Sequence, residues 1–519
     1  MNAEPSFLYP THEALIDAGS IGDMALTEQV AEIQAVYRGD SRPWIIGFSG
    51  GKDSTAVLSL VYTALLRLQT QDRHKPVYVV SSDTLVETPV VVDLVQHVLK
   101  VINTQAKRDR LDISAHTVYP QMDQTFWVNL LGRGYPAPKQ SFRWCTERMK
   151  IDPVTDFITR KAALFGEVVV VLGSRSQESV SRAQVIAKHK IGDLGLGRHT
   201  SIPNAYTFMP IVSWSADDVW EYLMGAPCPW GGNNQQLFDL YKGSNQGECP
   251  LVIDKSTPSC GNSRFGCWTC TVVTEDRALH GLIESGDDWM RPLLAFRDKL
   301  YNSNEPENTK VYRNIKRRSG RITYRRARGE NPKDQEIREV RGPYLMKWRQ
   351  AWLKELLEIQ KSINEAGQDF SFIREEELQA IRQEWLRDPN EPDILDSLPR
   401  IYREVYGEQI EWTENDAGAF TAPDAVLLQR LAERHDLEPE MIMKLLEVEL
   451  SVSGLGRRKG VMRKLESVIE QDWDIEEAMG YRNQEYNAAM TWRDEINDLQ
   501  TAIDAASAAV RAMDEGSQP

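Results

Sequence analysis

The hexapeptide Ser49-Gly50-Gly51-Lys52-Asp53-Ser54 joins a short apolar run, "WIIGFS", to a stretch with helical spacing, "DSTAVLSLVYTALLRLQ". Its two glycines lack a Cβ, so the backbone there can turn sharply and approach a ligand closely. Successive N–H groups then point into one concavity at a helix N-terminus, and such a site favours an anion through both hydrogen bonds and the helix dipole. Ser49 and Ser54 add hydroxyl donors and Lys52 adds a charge. Asp53 stands where it caps the helix or holds Mg2+. The chemistry expected is the binding of a polyphosphate. A Walker A loop needs Ser or Thr directly after Gly-Lys, and here Asp53 follows Lys52, so this loop is of another kind.

Other segments carry groups suited to the same ligand. "VVSSDT" ends an apolar run at Ser81, Ser82, Asp83 and Thr84. A carboxylate at a strand end accepts from a ribose or binds a metal-bound water, and the bland alternative is a helix cap. "SFRWCTERMK" carries Arg143 and Lys150, placed to flank a polyphosphate or, alternatively, on a solvated basic helix. In "VVVVLGSRSQESVSR", Gly173 ends a run and Arg175, Glu178 and Arg182 follow. Arginine offers planar paired donors to phosphate, and Glu178 can orient one arginine by an ion pair. "FMPIVSWSADDVWEYL" sets Trp214, Val219, Trp220, Tyr222 and Leu223 around an N-cap Ser215, which reads as a helix docked by aromatic burial.

The six cysteines are Cys145, Cys228, Cys249, Cys260, Cys267 and Cys270. Cys267 and Cys270 form a C-x-x-C pair that presents two thiolates to one metal, and Cys260 precedes it in a Gly-rich turn. Four thiolates suit zinc or a 4Fe–4S cluster, and spacing alone does not separate the two. Cys145 is the expected fourth ligand and Cys249 its rival; the bland alternative for either is a buried free thiol. The expected metal set is Cys145, Cys260, Cys267 and Cys270.

Strand-like and helical segments alternate along the first half of the chain. "WIIGFS", "PVYVVSSD", "DISAHTVYP" and "EVVVVLGSRS" are apolar and strand-like, and helical spacing separates them. Continuous apolar strands alternating with helices predict an α/β fold with a parallel sheet covered on both faces. Ligands of such sheets bind at the carboxyl ends of the strands, where each motif begins. The expected organisation is an N-terminal helical segment (1–42), the loop-bearing α/β domain (43–225), an irregular Cys-rich subdomain (226–300), a basic segment (301–344) and an α-helical C-terminal region (345–519). Residues 310–328 carry nine Lys/Arg and no acid, with Tyr312 and Tyr324 interleaved. That is the candidate DNA contact, against a solvated charge run or a dock for an acidic partner.

Composition sets limits. The chain has 519 residues, 41% hydrophobic and 26% charged, enough for several domains. No apolar run is long enough to span a bilayer. The first residues show no secretion signal, so a cytoplasmic protein is expected. A net charge of −15 repels nucleic acid at long range, so any DNA contact must come from a local basic patch or from partners.

Taken in order, S-G-G-K-D-S, S-S-D-T, R-W-C-T-x-x-x-K, G-x-R-x-x-E-S-x-x-R and P-I-x-x-W-x-x-x-D-V-W-x-Y-L resemble the phosphoadenosine-phosphosulfate reductase family of the PP-loop (adenine nucleotide alpha-hydrolase-like) group, over about residues 43–225. The resemblance implies ATP with Mg2+ split between the α and β phosphates. Ser49, Gly50, Gly51, Lys52, Asp53 and Ser54 would bind pyrophosphate, with Asp83, Arg143, Lys150, Gly173, Arg175, Glu178 and Arg182 around the nucleotide. Lys52, Asp53, Arg143 and Lys150 would carry the chemistry. A reductase of this family attacks with a cysteine in its tail, and no cysteine follows Cys270. "FSGGKDST", "SFRWCTERMK" and "CGNSRFGCWTCTVV" resemble instead the iron–sulfur, ATP-pyrophosphatase-like component of bacterial DNA phosphorothioation. That implies activation of a DNA backbone phosphate for replacement of oxygen by sulfur. The partners implied are DNA, a cysteine desulfurase, an SMC-like ATPase and a small DNA-binding subunit. The alternative is an ATP-dependent sulfur transferase or sulfonucleotide reductase acting on tRNA or a small sulfonucleotide.

Overall fold

The four apolar runs become β1 (Trp44–Gly47), β2 (Val77–Ser82), β3 (Ile113–Val118) and β4 (Val168–Val171) in a computed structural model of the chain. The structure describes residues 12–21, 24–178, 190–191, 195–225, 227–243, 266–326, 337–393, 395–413, 422–450 and 460–515. Three shorter strands complete the sheet: β5 (Lys190–Ile191), β6 (Leu196–Arg198) and β7 (Ala205–Phe208).

The seven strands lie in the order β3-β2-β1-β4-β7-β6-β5. β1 runs parallel to β2 and β4, β2 to β3, and β4 to β7; β6 is antiparallel to β5 and β7. The chain winds outward from β1 through β2 to β3, then returns to the other side of β1 for β4. The carboxyl ends of β1 and β4 therefore flank the point where strand order reverses, the crevice in which open α/β sheets hold ligands.

Alternation along each strand feeds two layers. Trp44, Ile46, Val169 and Val171 face a core built with the helices α1 (His12–Ala18), α2 (Leu26–Arg38), α3 (Lys52–Leu66), α4 (Pro89–Arg108) and α6 (Ala216–Gly225). Ile45, Val168 and Val170 face α5 (Asp152–Phe165) through Val154, Ile158 and Ala162. The sheet is thus covered on both faces, as its continuous apolar strands require.

The stretch 226–300 is less irregular than its composition suggests. It holds α7 (Gln235–Gly243), α8 (Arg277–Glu284) and α9 (Arg291–Asn302). α8 buries Leu279, Leu282 and Ile283, and α9 buries Leu293, Phe296 and Leu300. Each is a short helical stripe that Gly, Pro and Cys in its surroundings disguise.

The chain divides into two units. One comprises 1–129, 137–304 and 355–380 and holds the sheet; the other comprises 130–136, 305–354 and 381–519. Along the remainder of the chain lie α10 (Met346–Glu365), α11 (Glu375–Leu386), α12 (Ser397–Tyr406), α13 (Ala422–Arg434), α14 (Pro439–Leu450), α15 (Val461–Ile469) and α16 (Ile475–Glu515). Within the second unit the fully buried Arg349 donates to the Gly132 carbonyl at 2.8 Å and pairs with the buried Asp388 at 2.9 Å. Among the described residues, no helix is long and apolar enough to cross a membrane.

Candidate active site

The loop after β1 owes its shape to two glycines. Gly50 has φ +73°, and a Cβ there would stand 2.4 Å from Val95 Cγ2 of α4. Gly173, just past β4, lies so close to the first turn of α3 that a Cβ would meet the Asp53 carbonyl oxygen at 2.9 Å. Glycine therefore permits both the turn and the docking of the β4 loop onto it. The hydroxyls stitch the loop internally. The Ser49 amide donates to Ser54 Oγ at 3.2 Å, and the Ser54 and Thr55 hydroxyls each donate to the Gly51 carbonyl at 2.9 Å.

Asp53 does not cap α3. Its Oδ1 accepts from Arg175 Nε at 2.7 Å and its Oδ2 pairs with Lys52 Nζ at 3.0 Å. Lys52 and Arg175 are buried, at 3% and 2% exposure. One carboxylate thus holds two buried cations at the N-terminus of α3, where the first-turn amides have no acceptor within the helix. The Arg175 loop is fixed in turn by the Ser176 amide, which donates to the Val212 carbonyl at 2.8 Å.

The aromatic helix contributes support. Ser215 and Asp218 form a reciprocal cap at the start of α6, with the Ser215 amide donating to Asp218 Oδ2 at 2.7 Å and the Asp218 amide to Ser215 Oγ at 3.1 Å. Trp214, Val219, Tyr222 and Leu223 are buried, and Trp220 packs edge-on against Tyr241 at 5.1 Å. The Tyr241 hydroxyl accepts from the Lys52 amide at 3.3 Å. Tyr241 thus steadies the phosphate loop from α7, a role no spacing in the sequence announces.

At the end of β2, the Leu85 amide donates to Asp83 Oδ1 at 2.8 Å, with Leu85 held at φ +66°. Burial raises the Asp83 pKa. Arg143 precedes, and Lys150 lies within, the π-helical turn Thr146–Ile151, which Ser82 secures by donating from Oγ to the Met149 carbonyl at 2.9 Å. Among the described residues, the buried Arg143 Nη1 has no acceptor, and an anionic ligand would satisfy it. Lys150 Nζ pairs with Glu87 at 3.4 Å. Glu178 closes a 3₁₀ turn, Ser176–Glu178, and Arg182 lies outside the described residues.

The C-x-x-C turn is strapped to the same strand end. Cys267 bridges Glu87 in antiparallel fashion, the Thr88 amide donates to the Gly266 carbonyl at 3.0 Å, and the Trp268 amide donates to Val86 at 3.0 Å. Cys267 Sγ lies 3.3 Å from Thr84 Oγ1 and 3.7 Å from Glu87 Oε1. Burial, then the charge of Glu87, pushes the Cys267 thiol well up; Cys145 is among the groups that act on it electrostatically. The Cys270 amide closes the turn on the Cys267 carbonyl at 3.0 Å. Behind it the fully buried Arg297 donates to the carbonyls of Cys270 and Thr274, each at 2.8 Å, and of Val273. Cys249 and Cys260 lie outside the described residues, and among the described residues no three His, Cys, Asp or Glu groups are arranged to hold a metal.

Residues 43–273 match the family model of the phosphoadenosine phosphosulfate reductase domain. That stretch takes in strands β1 to β7 and the C-x-x-C turn. An uncharacterized protein of Methanocaldococcus jannaschii, MJ0066, is 28% identical over 207 residues, 40% of this chain. The match spans 36% of that relative's length. Among solved structures, the Candida glabrata FMN adenylyltransferase in complex with FAD and inorganic pyrophosphate aligns over 42% of this chain and 64% of its own, with 12% identity and a TM-score of 0.25. The U34-tRNA thiolase NcsA from Methanococcus maripaludis with its [4Fe-4S] cluster aligns over 58% of this chain and 86% of its own, also with 12% identity and a TM-score of 0.25. At that similarity neither structure bears on the chemistry of this chain.

The Cys228 thiol donates to Asn234 Oδ1 at 3.2 Å, and burial pushes its pKa up to about 12. It is expected to resist alkylation by iodoacetamide at pH 8 until the protein is unfolded, as peptide mass mapping would read. The basic stretch lies in the second unit and is largely engaged there. Arg313 is buried and donates to the Gly342 and Arg341 carbonyls; Arg317 donates to Arg341; Arg318 donates to Arg133 and pairs with Glu384; Arg321 pairs with Glu470. Tyr312 packs on Trp348 and Trp352, and Tyr324 donates to the Met479 carbonyl.

Proposed function

We propose that the chain is an ATP pyrophosphatase that transfers adenylate to an acceptor oxyanion, and that the acceptor is a DNA backbone phosphate about to receive sulfur, as in the DndC group of DNA phosphorothioation proteins. The observation that carries the nucleotide half is the Lys52–Asp53–Arg175 cluster at the N-terminus of α3, set beside the point of strand reversal. The DNA half rests on the motif resemblance.

A non-bridging phosphate oxygen is a poor leaving group. Attack of that oxygen on the α-phosphorus of ATP forms a new P–O–P link and releases pyrophosphate with the bonding pair. A sulfur nucleophile at the sulfide level then attacks the backbone phosphorus, and AMP leaves with the original oxygen. The amides of the first turn of α3, with Lys52, hold the departing pyrophosphate, and Arg143 and Arg175 offset charge on the phosphates; positioning and fixed charge supply most of such a barrier reduction. Mg2+ enters with ATP, whose phosphates are its natural ligands, since both oxygens of Asp53 are already paired. Cys145, Cys267 and Cys270, with Cys260, offer the thiolate set of a 4Fe–4S cluster, which would supply a place to bind and hand over sulfide.

Nuclease-digested DNA from cells carrying the chain with its companion proteins tests the reading. Phosphorothioate dinucleotides are expected, together with AMP and pyrophosphate from ATP in the purified system. Pyrophosphate without modified dinucleotides would move the acceptor to tRNA or a small molecule; no pyrophosphate would leave a scaffold. Anaerobically purified protein is expected to show a broad visible band that Cys267→Ser removes and Cys228→Ser keeps.

A further inference from the structure

The second half of α16 carries an apolar seam that nothing in its own chain covers among the described residues. Trp492, Ile496, Leu499 and Ile503 are 70%, 52%, 63% and 54% exposed. Every residue from 491 to 505 is exposed. The helix is anchored upstream, where Arg482 pairs with Asp472 at 3.1 Å and the Met479 carbonyl accepts from Tyr324.

The spacing of the seam decides what fits it. Ala489, Ile496 and Ile503 recur every seven residues, and Trp492 and Leu499 fall three residues after the first two of them. These are the a and d positions of a heptad, and the sequence continues the pattern at Ala506, Val510 and Met513. Such a stripe is narrower than the face a helix lays on a globular core and matches a coiled-coil seam. β-branched Ile at a with Leu at d favours two parallel strands. In a parallel pair, each g residue meets the e residue five positions on in the other helix. Glu495 would meet Gln500, and Ala488 would meet Arg493, so no like charges oppose one another. The acids Asp494, Asp498 and Asp504 fall at outer positions of the heptad. A self-pairing seam without charge conflict is satisfied by another copy of itself.

We propose that residues 489–513 form a parallel two-stranded coiled coil between two copies of this chain. The inference is independent of the reaction assigned above. The seam is ~37 Å long at 1.5 Å per residue, which brings two reductase-family domains into one assembly.

Sedimentation of the full-length protein at micromolar concentration tests it. The wild-type chain is expected to sediment at twice the chain mass, and the double variant Leu499→Glu/Ile503→Glu at the chain mass with its helical circular dichroism kept. Thr501→Glu, at an outer position, should leave the dimer intact. Under mild oxidation Leu499→Cys should give a covalent dimer on a non-reducing gel, where the wild-type chain and Thr501→Cys do not. A monomeric wild-type chain, a dimer indifferent to the double variant, or no cross-link through Leu499→Cys would each overturn the proposal.

Discussion

Asp53→Ala is expected to lower ATP-dependent pyrophosphate release by roughly 10²–10³-fold, the cost typical of losing one preorganised electrostatic contact at a reacting centre. The reason lies in what the carboxylate touches. Its two oxygens hold Arg175 Nε at 2.7 Å and Lys52 Nζ at 3.0 Å, and both cations are nearly excluded from water. Without Asp53 the two positive charges lose the carboxylate that binds them both, and they shift from the geometry that would receive a polyphosphate. Breaking a buried pair by removing one partner costs about 3–5 kcal/mol, so the alanine variant should also melt earlier. Asp53→Asn separates the two effects. Its amide oxygen can still accept from Arg175 Nε, which restores most of the melting temperature. Its neutral side chain no longer balances both cations, so the rate stays low. Pyrophosphate release measured below the melting point of each variant reads this directly. A folded Asp53→Ala protein turning over at the wild-type rate would remove Asp53, and the cluster it organises, from the mechanism.

The parts of this arrangement legible in the sequence are those written in local pattern. "WIIG" and "VVVV" are apolar at every position because both faces of β1 and β4 are covered. The glycines at 50 and 173 stand out because a side chain at either would collide with a neighbour. Other parts have no local signature. Glu87 meets Cys267 across 180 positions, and Tyr241 meets Lys52 across 189. Arg297 lies on an amphipathic helix like any surface arginine, yet it is buried under the C-x-x-C turn because three carbonyls there need a donor. The run 310–328 is mixed. Lys310, Arg317, Arg321 and Arg325 are exposed, whereas Arg313 is buried against carbonyls of its own unit, and burial brings its pKa down to about 10. Charge density in a sequence does not say whether the charges face water or the backbone of the same unit.

Asp83, Tyr119 and Arg374 illustrate the same point at the mouth of the site. Arg374 belongs to a segment far along the chain, yet its guanidinium lies 5.3 Å from the exposed Tyr119 ring, and its charge opposes the burial-driven rise in the Asp83 pKa. The residue that fixes this segment is Glu377. Its Oε2 accepts from the Arg374 amide at 3.1 Å, half of a capping box at the start of α11.

That cap carries a pH signature of its own. Glu377 is 1% exposed, and burial raises its pKa to about 7 from the ordinary 4.5, outweighing the Thr125 hydroxyl and the Arg374 amide, which favour the charged form. Below pH 4.5 the folded and unfolded chains both hold the proton, so Glu377 contributes no pH dependence. Between 4.5 and 7 the folded chain keeps a proton that the unfolded chain has lost, and stability falls as pH rises. Above 7 the full cost of a buried carboxylate is present, ~3 kcal/mol at 1.36 kcal/mol per pH unit of displacement. Glu377→Gln keeps the shape and an acceptor oxygen for the Arg374 amide but never ionises. It should therefore stabilise the protein by about 3 kcal/mol at pH 8 and by less than about 1 kcal/mol near pH 5. Equilibrium urea unfolding of both proteins at the two pH values measures the difference. An equal effect at pH 5 and pH 8 would show that the glutamine acts through packing alone and that Glu377 ionises in the folded chain as it does in water.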